Sequence, residues 1–215
     1  RMSLDMREHL QKAGIIPVIK LEETEKAARL AQALREGGIN CAEVTFRAQG
    51  AENAIEAMLS AYPDMLVGAG TVLTVQEAER AAAAGAKFIV SPGFDEKIVD
   101  FALERGIFPL PGCVTPTEIQ MALRQGLSVV KFFSAVQFGG IKTISALAGP
   151  FSSIRFVPTG GVSLNNLEEY LQEKSIIACG GSFMVKEQLL KESNWDAVTE
   201  LSKNAMEIVN RVRQR

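Results

Sequence analysis

Lys131 stands in the middle of an apolar run, Val129-Val130-Lys131-Phe132-Phe133, where a surface lysine would not ordinarily be placed. Burial disfavours the charged form of an ammonium. An uncharged lysine amine in a dry pocket is a nucleophile suited to forming a Schiff base with a carbonyl. The same five residues also suit a lysine that reaches water from a sheet edge, or one paired structurally with a carboxylate. A second ionisable group lies within another strand-like run, Glu43 in Cys41-Ala42-Glu43-Val44-Thr45-Phe46, where a carboxylate is costly unless paired or used. Only one histidine, His9, occurs in the chain, which sets aside Ser-His-Asp and Cys-His catalysis and any multi-histidine metal site.

These two residues need elements to hold them, and the chain supplies a regular series. Read by periodicity, short β-branched runs alternate with longer amphipathic segments. The strands expected are 15–20, 41–46, 66–70, 88–91, 107–111, 129–133, 155–158 and 176–179, with starts 19 to 26 residues apart. Between them fall helical patterns, such as Ala27, Leu30, Ala31 and Leu34 at i, i+3, i+4, i+7. The last helix is expected to use Val198, Leu201, Ala205, Ile208 and Val212. T-x-x-E boxes at Thr74–Glu77 and Thr115–Glu118 mark helix starts, the second with Pro116 at the first helical position. Glycines at 37, 85, 106 and 126 mark helix ends.

Eight strand–helix units over 215 residues predict an α/β fold, a (β/α)8 TIM barrel in one domain spanning residues 1–215. An open doubly wound sheet would carry fewer strands and a glycine-rich first turn, whereas Leu21-Glu22-Glu23 follows the first strand. The segment from Leu4 to Ala13 is expected to be an extra N-terminal helix closing the barrel bottom. The composition, 47% hydrophobic and 22% charged with net charge −2, is that of an ordinary globular chain and offers nucleic acid no basic block. No apolar run approaches the ~18–20 residues of a membrane span, and no signal-peptide pattern opens the chain. Three dispersed cysteines suggest a reducing compartment, so a cytoplasmic location is expected.

Strand parity sorts the interior from the helix-facing side. Glu43 shares its parity with Cys41, Thr45 and Arg47, and should face inward or upward. Lys131 should point inward too, leaving Val130 and Phe132 for the helices. A shared pocket would then hold a base and a nucleophile, although a structural Lys–Glu pair has the same geometry. Thr159-Gly160-Gly161-Val162 and Cys179-Gly180-Gly181-Ser182 follow the last two strands, where barrels often bind phosphate on loop amides and a short extra helix. Such a helix fits within residues 184–191. Lys20, Thr71 and Pro92 are further candidates at strand ends, each equally compatible with a packing or surface role.

The motifs P-V-I-K, E-V-T-F-R, G-A-G-T-V, S-P-G, P-L-P-G, T-P-T-E, V-K-F-F, A-G-P-F, P-T-G-G-V and G-G-S occur in this order. Together, over residues 15–185, the chain resembles 2-keto-3-deoxy-6-phosphogluconate (KDPG) aldolase, a family that also includes 4-hydroxy-2-oxoglutarate (KHG) aldolase activity. The resemblance implies that Lys131 is the Schiff-base lysine and Glu43 the general acid/base. It puts Arg47 and Thr71 around the ketoacid carboxylate, Pro92 against the pyruvate moiety, and Gly160, Gly161, Gly181 and Ser182 on the phosphate. Thr159 matches a position tied to stereochemical preference, and a threonine there leans toward the gluconate-derived substrate. It also implies a homotrimer, a small phosphorylated ketoacid as substrate, and neither metal nor cofactor. Ser134 departs from a proline that many members carry, which is expected to loosen the loop beyond the nucleophile; Lys20 replaces a frequent arginine. Two alternatives go with this expectation: an aldolase acting mainly on 4-hydroxy-2-oxoglutarate, giving pyruvate and glyoxylate, and a non-catalytic barrel that binds sugar phosphates.

Overall fold

The apolar runs form eight strands: β1 (Ile15–Ile19), β2 (Cys41–Thr45), β3 (Leu66–Gly70), β4 (Phe88–Ser91), β5 (Phe108–Pro111), β6 (Val129–Phe133), β7 (Arg155–Thr159) and β8 (Cys179–Gly181). The computed structural model describes the backbone of residues 2–214 and the side chains of residues 6–214. The strands lie in the order β5-β4-β3-β2-β1-β8-β7-β6, with parallel neighbours throughout. This is the expected (β/α)8 barrel. Its core is continuous, from Ile15, Ile16 and Ile19 on β1 to Val198, Ala205 and Val209 on the last helix.

The barrel closes between β5 and β6, and the chemistry of β5 explains how. Even-numbered residues at this strand donate toward β4, as Phe108 N does to Lys87 O and Gly112 N to Ser91 O. The odd-numbered ones that would donate toward β6 begin with Pro109 and Pro111, which have no N–H. The ladder therefore starts only beyond them, where Cys113 N donates to Lys131 O at 2.9 Å and Gly112 bridges Lys131. The seam is stitched at the lysine.

Among the described residues, ten α-helices flank the strands: α1 (Met2–Ala13), α2 (Ala27–Glu36), α3 (Ala51–Ala61), α4 (Val75–Ala83), α5 (Glu96–Glu104), α6 (Pro116–Arg124), α7 (Gly140–Ala148), α8 (Leu167–Gln172), α9 (Glu187–Lys191) and α10 (Trp195–Arg213). Thr115 and Glu118 close the capping box before α6. Before α4, Thr74 caps Glu77 N, but Glu77 reaches back to Leu73 N, one residue earlier than the motif implies. Extra helix α1 lies across the bottom, its Met6, His9 and Lys12 facing Cys41 and Leu66 at the starts of β2 and β3.

Three local expectations shift. β8 runs over Cys179–Gly181 rather than 176–179, because it is Cys179, Gly180 and Gly181 that pair with Ile15, Ile16 and Pro17; Ile176 makes only an isolated bridge to Phe156. The β1 edge overrides the weak strand preference of glycine. Gly37 caps α2 as expected, but the left-handed conformation falls on Gly38 (φ 89°); a Cβ on Gly37 would lie 2.4 Å from Ser202 Cβ. On α10 the buried stripe is Val198, Ser202, Ala205 and Val209. Ser202 tolerates that burial by donating its hydroxyl to Val198 O at 2.7 Å.

Candidate active site

Parity along β2 and β6 delivers Glu43 and Lys131 to the same space inside the barrel. Lys131 Nζ lies 3.9 Å from Glu43 Oε1, and the residues are 6% and 3% exposed. Glu43 Oε1 is buried and has no hydrogen-bond donor. Buried carboxylate oxygens are almost always satisfied, and 3.9 Å is too long for a direct hydrogen bond. A substrate oxygen between the two groups would satisfy both.

Glycines make room for this carboxylate. Gly70 ends β3, and a Cβ on it would lie 2.0 Å from Glu43 Oε1. One layer lower, Gly68 admits the Phe88 ring, which a Cβ would meet at 2.4 Å. Bare backbone at these two glycines thus leaves room for the carboxylate and for the ring. On the opposite side Thr159, 9% exposed, sits opposite Gly180 in register. A Cβ on Gly180 would lie 2.5 Å from Thr159 Oγ1, so this glycine fixes where the threonine stands.

A cavity of about 320 Å³ opens above the pair, lined by Glu43, Arg47, Thr71, Pro92, Lys131, Thr159, Gly160, Gly161, Gly181 and Ser182. The ten residues to which the family resemblance gives a role therefore meet at the carboxyl-terminal end of the strands. Arg47, exposed at the mouth, has no carboxylate partner among the described residues and is available to an anion. Thr71 holds φ 51°, a left-handed conformation that is strained for a β-branched residue. Pro92 O, in turn, would meet a Cβ on Gly112 at 1.9 Å, so that glycine lets the β4 and β5 loops approach.

The two glycine loops lie side by side at the cavity rim. Gly160 and Gly161 have φ of 106° and 78°, closed to other L-residues without strain. Among the described residues, the Gly161 and Ser182 N–H groups have no acceptor, which leaves them for an anion. The expected short helix exists as α9, but a turn closed by Val185 N to Ser182 O precedes it, and Glu187 does not line the cavity. Loop amides, not that helix terminus, face the site. Lys20 lies apart, 3.8 Å from Glu22 and 3.6 Å from Glu187, and does not line the cavity.

Several contributors escaped the sequence. Val18 and Phe133 also line the cavity, beside Val162 and Gly180 of the two expected glycine loops. Asn166 Nδ2 donates to Gly161 O at 2.8 Å while its Oδ1 accepts from Ser163 N at 2.8 Å, pinning the first glycine loop. No local pattern marks Asn166; phase along β6 could have marked Phe133. The loop after β6, where Ser134 stands, is held by Ala135 N to Thr159 O at 2.8 Å and by Ser134 Oγ to Gln137 Oε1 at 2.5 Å.

A larger cleft, about 480 Å³, lies beneath the barrel. Its Lys87 donates to Pro63 O and Met65 O, and its Asp64 pairs with Arg35, which holds that carboxyl below its usual range. Burial pushes the Cys41 and Cys113 thiols up to about 12, and Cys179 higher still, so none offers a thiolate near neutrality. Among the described residues no group of three or more His, Cys, Asp or Glu side chains could hold a metal ion, and no helix is long and apolar enough to cross a membrane.

Known proteins resemble this chain in sequence and in fold. The family described as KDPG and KHG aldolase matches residues 6–201. The 2-dehydro-3-deoxy-phosphogluconate aldolase of Treponema pallidum is 50% identical over 202 residues, 94% of this chain and 96% of its own. The KHG/KDPG aldolase of Escherichia coli K12 is 41% identical over 193 residues, covering 90% and 91%. Among solved structures, the KDPG aldolase of Legionella pneumophila, with pyruvate captured as a covalent carbinolamine, superposes with TM-score 0.89 at 38% identity, covering 93% of this chain and 97% of its own. The Zymomonas mobilis ZM4 enzyme with 3-phosphoglycerate gives 0.87 at 33%, covering 94% and 95%. With its buried lysine and carboxylate held in a barrel of matching topology, this chain belongs to the KDPG and KHG aldolase family.

Proposed function

We propose that the chain is a class I aldolase that reversibly cleaves 2-keto-3-deoxy-6-phosphogluconate to pyruvate and glyceraldehyde 3-phosphate. The observation that carries this reading is the buried Lys131–Glu43 pair, with a 3.9 Å gap and an unsatisfied carboxylate oxygen. Lys131 Nζ, as the free amine, attacks the C2 ketone, and the adduct collapses to a carbinolamine. Glu43 protonates the departing hydroxyl, water leaves, and the nitrogen lone pair forms the C=N bond of an iminium. The iminium draws electrons from C3. Glu43, now a carboxylate, takes the C4 hydroxyl proton directly or through water; the C3–C4 bond breaks and the aldehyde departs. Protonation of the remaining enamine at C3 and hydrolysis of the iminium release pyruvate. A base held at the reacting group contributes typically ~10²–10⁴-fold. The iminium itself is the electron sink, so no step is routed through a metal or cofactor.

Arg47 and Thr71 are assigned to the ketoacid carboxylate, Pro92 to the pyruvate moiety, and Thr159 to stereochemical preference at C4. Gly160, Gly161, Gly181 and Ser182 are assigned to the phosphate; that the Zymomonas relative was solved with 3-phosphoglycerate supports a phosphorylated ligand. The proposal extends to residues 1–215 as one barrel domain, with residues 1 and 215 outside the described residues, and to a cytoplasmic homotrimer, which sedimentation at graded concentration tests.

Incubation with pyruvate, borohydride reduction and mass spectrometry of the digest should place the adduct on Lys131. Label on another lysine, or none, rejects the assignment. Turnover of the phosphorylated substrate against 4-hydroxy-2-oxoglutarate tests the rim: a lower KM for the phosphorylated substrate is expected, and equal KM values would mean that the glycine loops hold no phosphate.

A further inference from the structure

Phe133 follows Lys131 by two residues on β6 and therefore projects to the same side of the strand. Lys131 Nζ lies 5.1 Å from the centre of its ring, within the ~6 Å over which a ring face attracts a cation. The ring lines the reaction cavity and is 42% exposed at its mouth. The other charged groups of the cavity are the Glu43 carboxylate, 3.9 Å from the same nitrogen, and Arg47 at the rim. Glu43 changes charge during the cycle, because it gives up a proton as water leaves. The Phe133 ring is a partner for positive charge at Nζ whose strength does not change with proton transfer.

We propose that the Phe133 ring face favours the cationic iminium over the neutral carbinolamine from which it forms, so that Phe133 sets how much of the bound ketoacid stands in the reactive form. The inference rests on the Schiff-base reading and deepens it. In the step concerned, the C–OH bond breaks, the hydroxyl leaves as water with the proton from Glu43, and the lone pair on Nζ becomes the second C–N bond. Positive charge appears at a nitrogen that was neutral, 5.1 Å from the ring centre. Only the iminium side of this equilibrium gains from the ring.

The test replaces Phe133 by mono-, di- and trifluorinated phenylalanine, which drain the ring face of electrons at nearly constant size. Phe133→Leu and Phe133→Trp bracket the series. The readout is the rate of borohydride trapping at saturating pyruvate, which tracks the iminium share of the bound enzyme. Stepwise decline along the fluorine series is expected, reaching roughly two- to fivefold for a partly exposed cation–π contact, with leucine at the low end and tryptophan at or above phenylalanine. A merely structural role would not follow fluorine count. A flat series, with adduct still on Lys131, overturns the role of the ring and leaves the aldolase reading intact; no adduct in the unsubstituted protein overturns both.

Discussion

Gly70→Ala puts a methyl group where the Glu43 carboxylate now lies. The added Cβ would sit 2.0 Å from Oε1, 2.6 Å from Cδ and 2.7 Å from Cγ. Opening the shortest of these to an ordinary contact of about 3.4 Å requires the carboxylate to retreat by about 1.4 Å, taking typical nonbonded separations as the guide. A misplacement of about 1 Å can cost ~10²-fold in rate, and complete loss of a general acid/base costs ~10²–10⁴-fold. We therefore expect kcat to fall by about 10² to 10³, measured by coupling pyruvate release to its reduction. Overpacking costs typically ~1–3 kcal/mol, partly offset by ~0.4–1 kcal/mol from the stiffer unfolded chain, so the variant should remain folded in urea titration. The double variant Gly70→Ala/Glu43→Ala should be no slower than Glu43→Ala, since the glycine acts only through the carboxylate. Wild-type kcat in folded Gly70→Ala, or additive losses in the double variant, would refute the placement of Glu43.

Lys131→Ala should abolish cleavage and borohydride trapping, while Glu43→Gln should lower kcat by ~10²–10⁴ with little change in ketoacid KM; full activity in either contradicts its role. Gly180→Ala drives a methyl toward Thr159 Oγ1, 2.5 Å away, and should erode stereochemical preference in the synthetic direction, read as the diastereomer ratio of the product, with Thr159→Ala eroding it similarly. Asn166→Ala frees Gly161 O and Ser163 N from their shared partner and should raise KM for the phosphorylated substrate severalfold, leaving pyruvate trapping unchanged. Burial holds the Cys41 thiol up at about 12 against an ordinary 9.0. Above pH 9 the unfolded chain therefore loses this proton while the native state keeps it, and stability should fall as pH rises toward 12. Cys41→Ala should flatten that fall in urea titrations, and an unchanged slope would show the thiol is not the cause.

The strand count, the helix starts at Thr74 and Thr115, and the inward set of Glu43 and Lys131 are local properties. A period of two or 3.6 residues, a capping side chain or a charge inside an apolar run is visible within a dozen residues, because backbone geometry imposes it. The family motifs extended this to all ten proposed site residues, which the barrel gathers around one cavity.

Contacts between distant segments obey no such rule. Only the closed barrel decided that β8 begins at Cys179, because an edge offered by β1 outweighs glycine's reluctance to form strand. Closure also left the seam to Cys113 and Lys131, after two prolines had removed the earlier donors. Gly70 beneath a carboxylate 27 positions earlier, and Asn166 pinning Gly161, are likewise products of packing. Residue types along a strand determine which way a side chain points; what it meets depends on how far strand tilt and register carry its neighbours, and that is settled by tertiary structure.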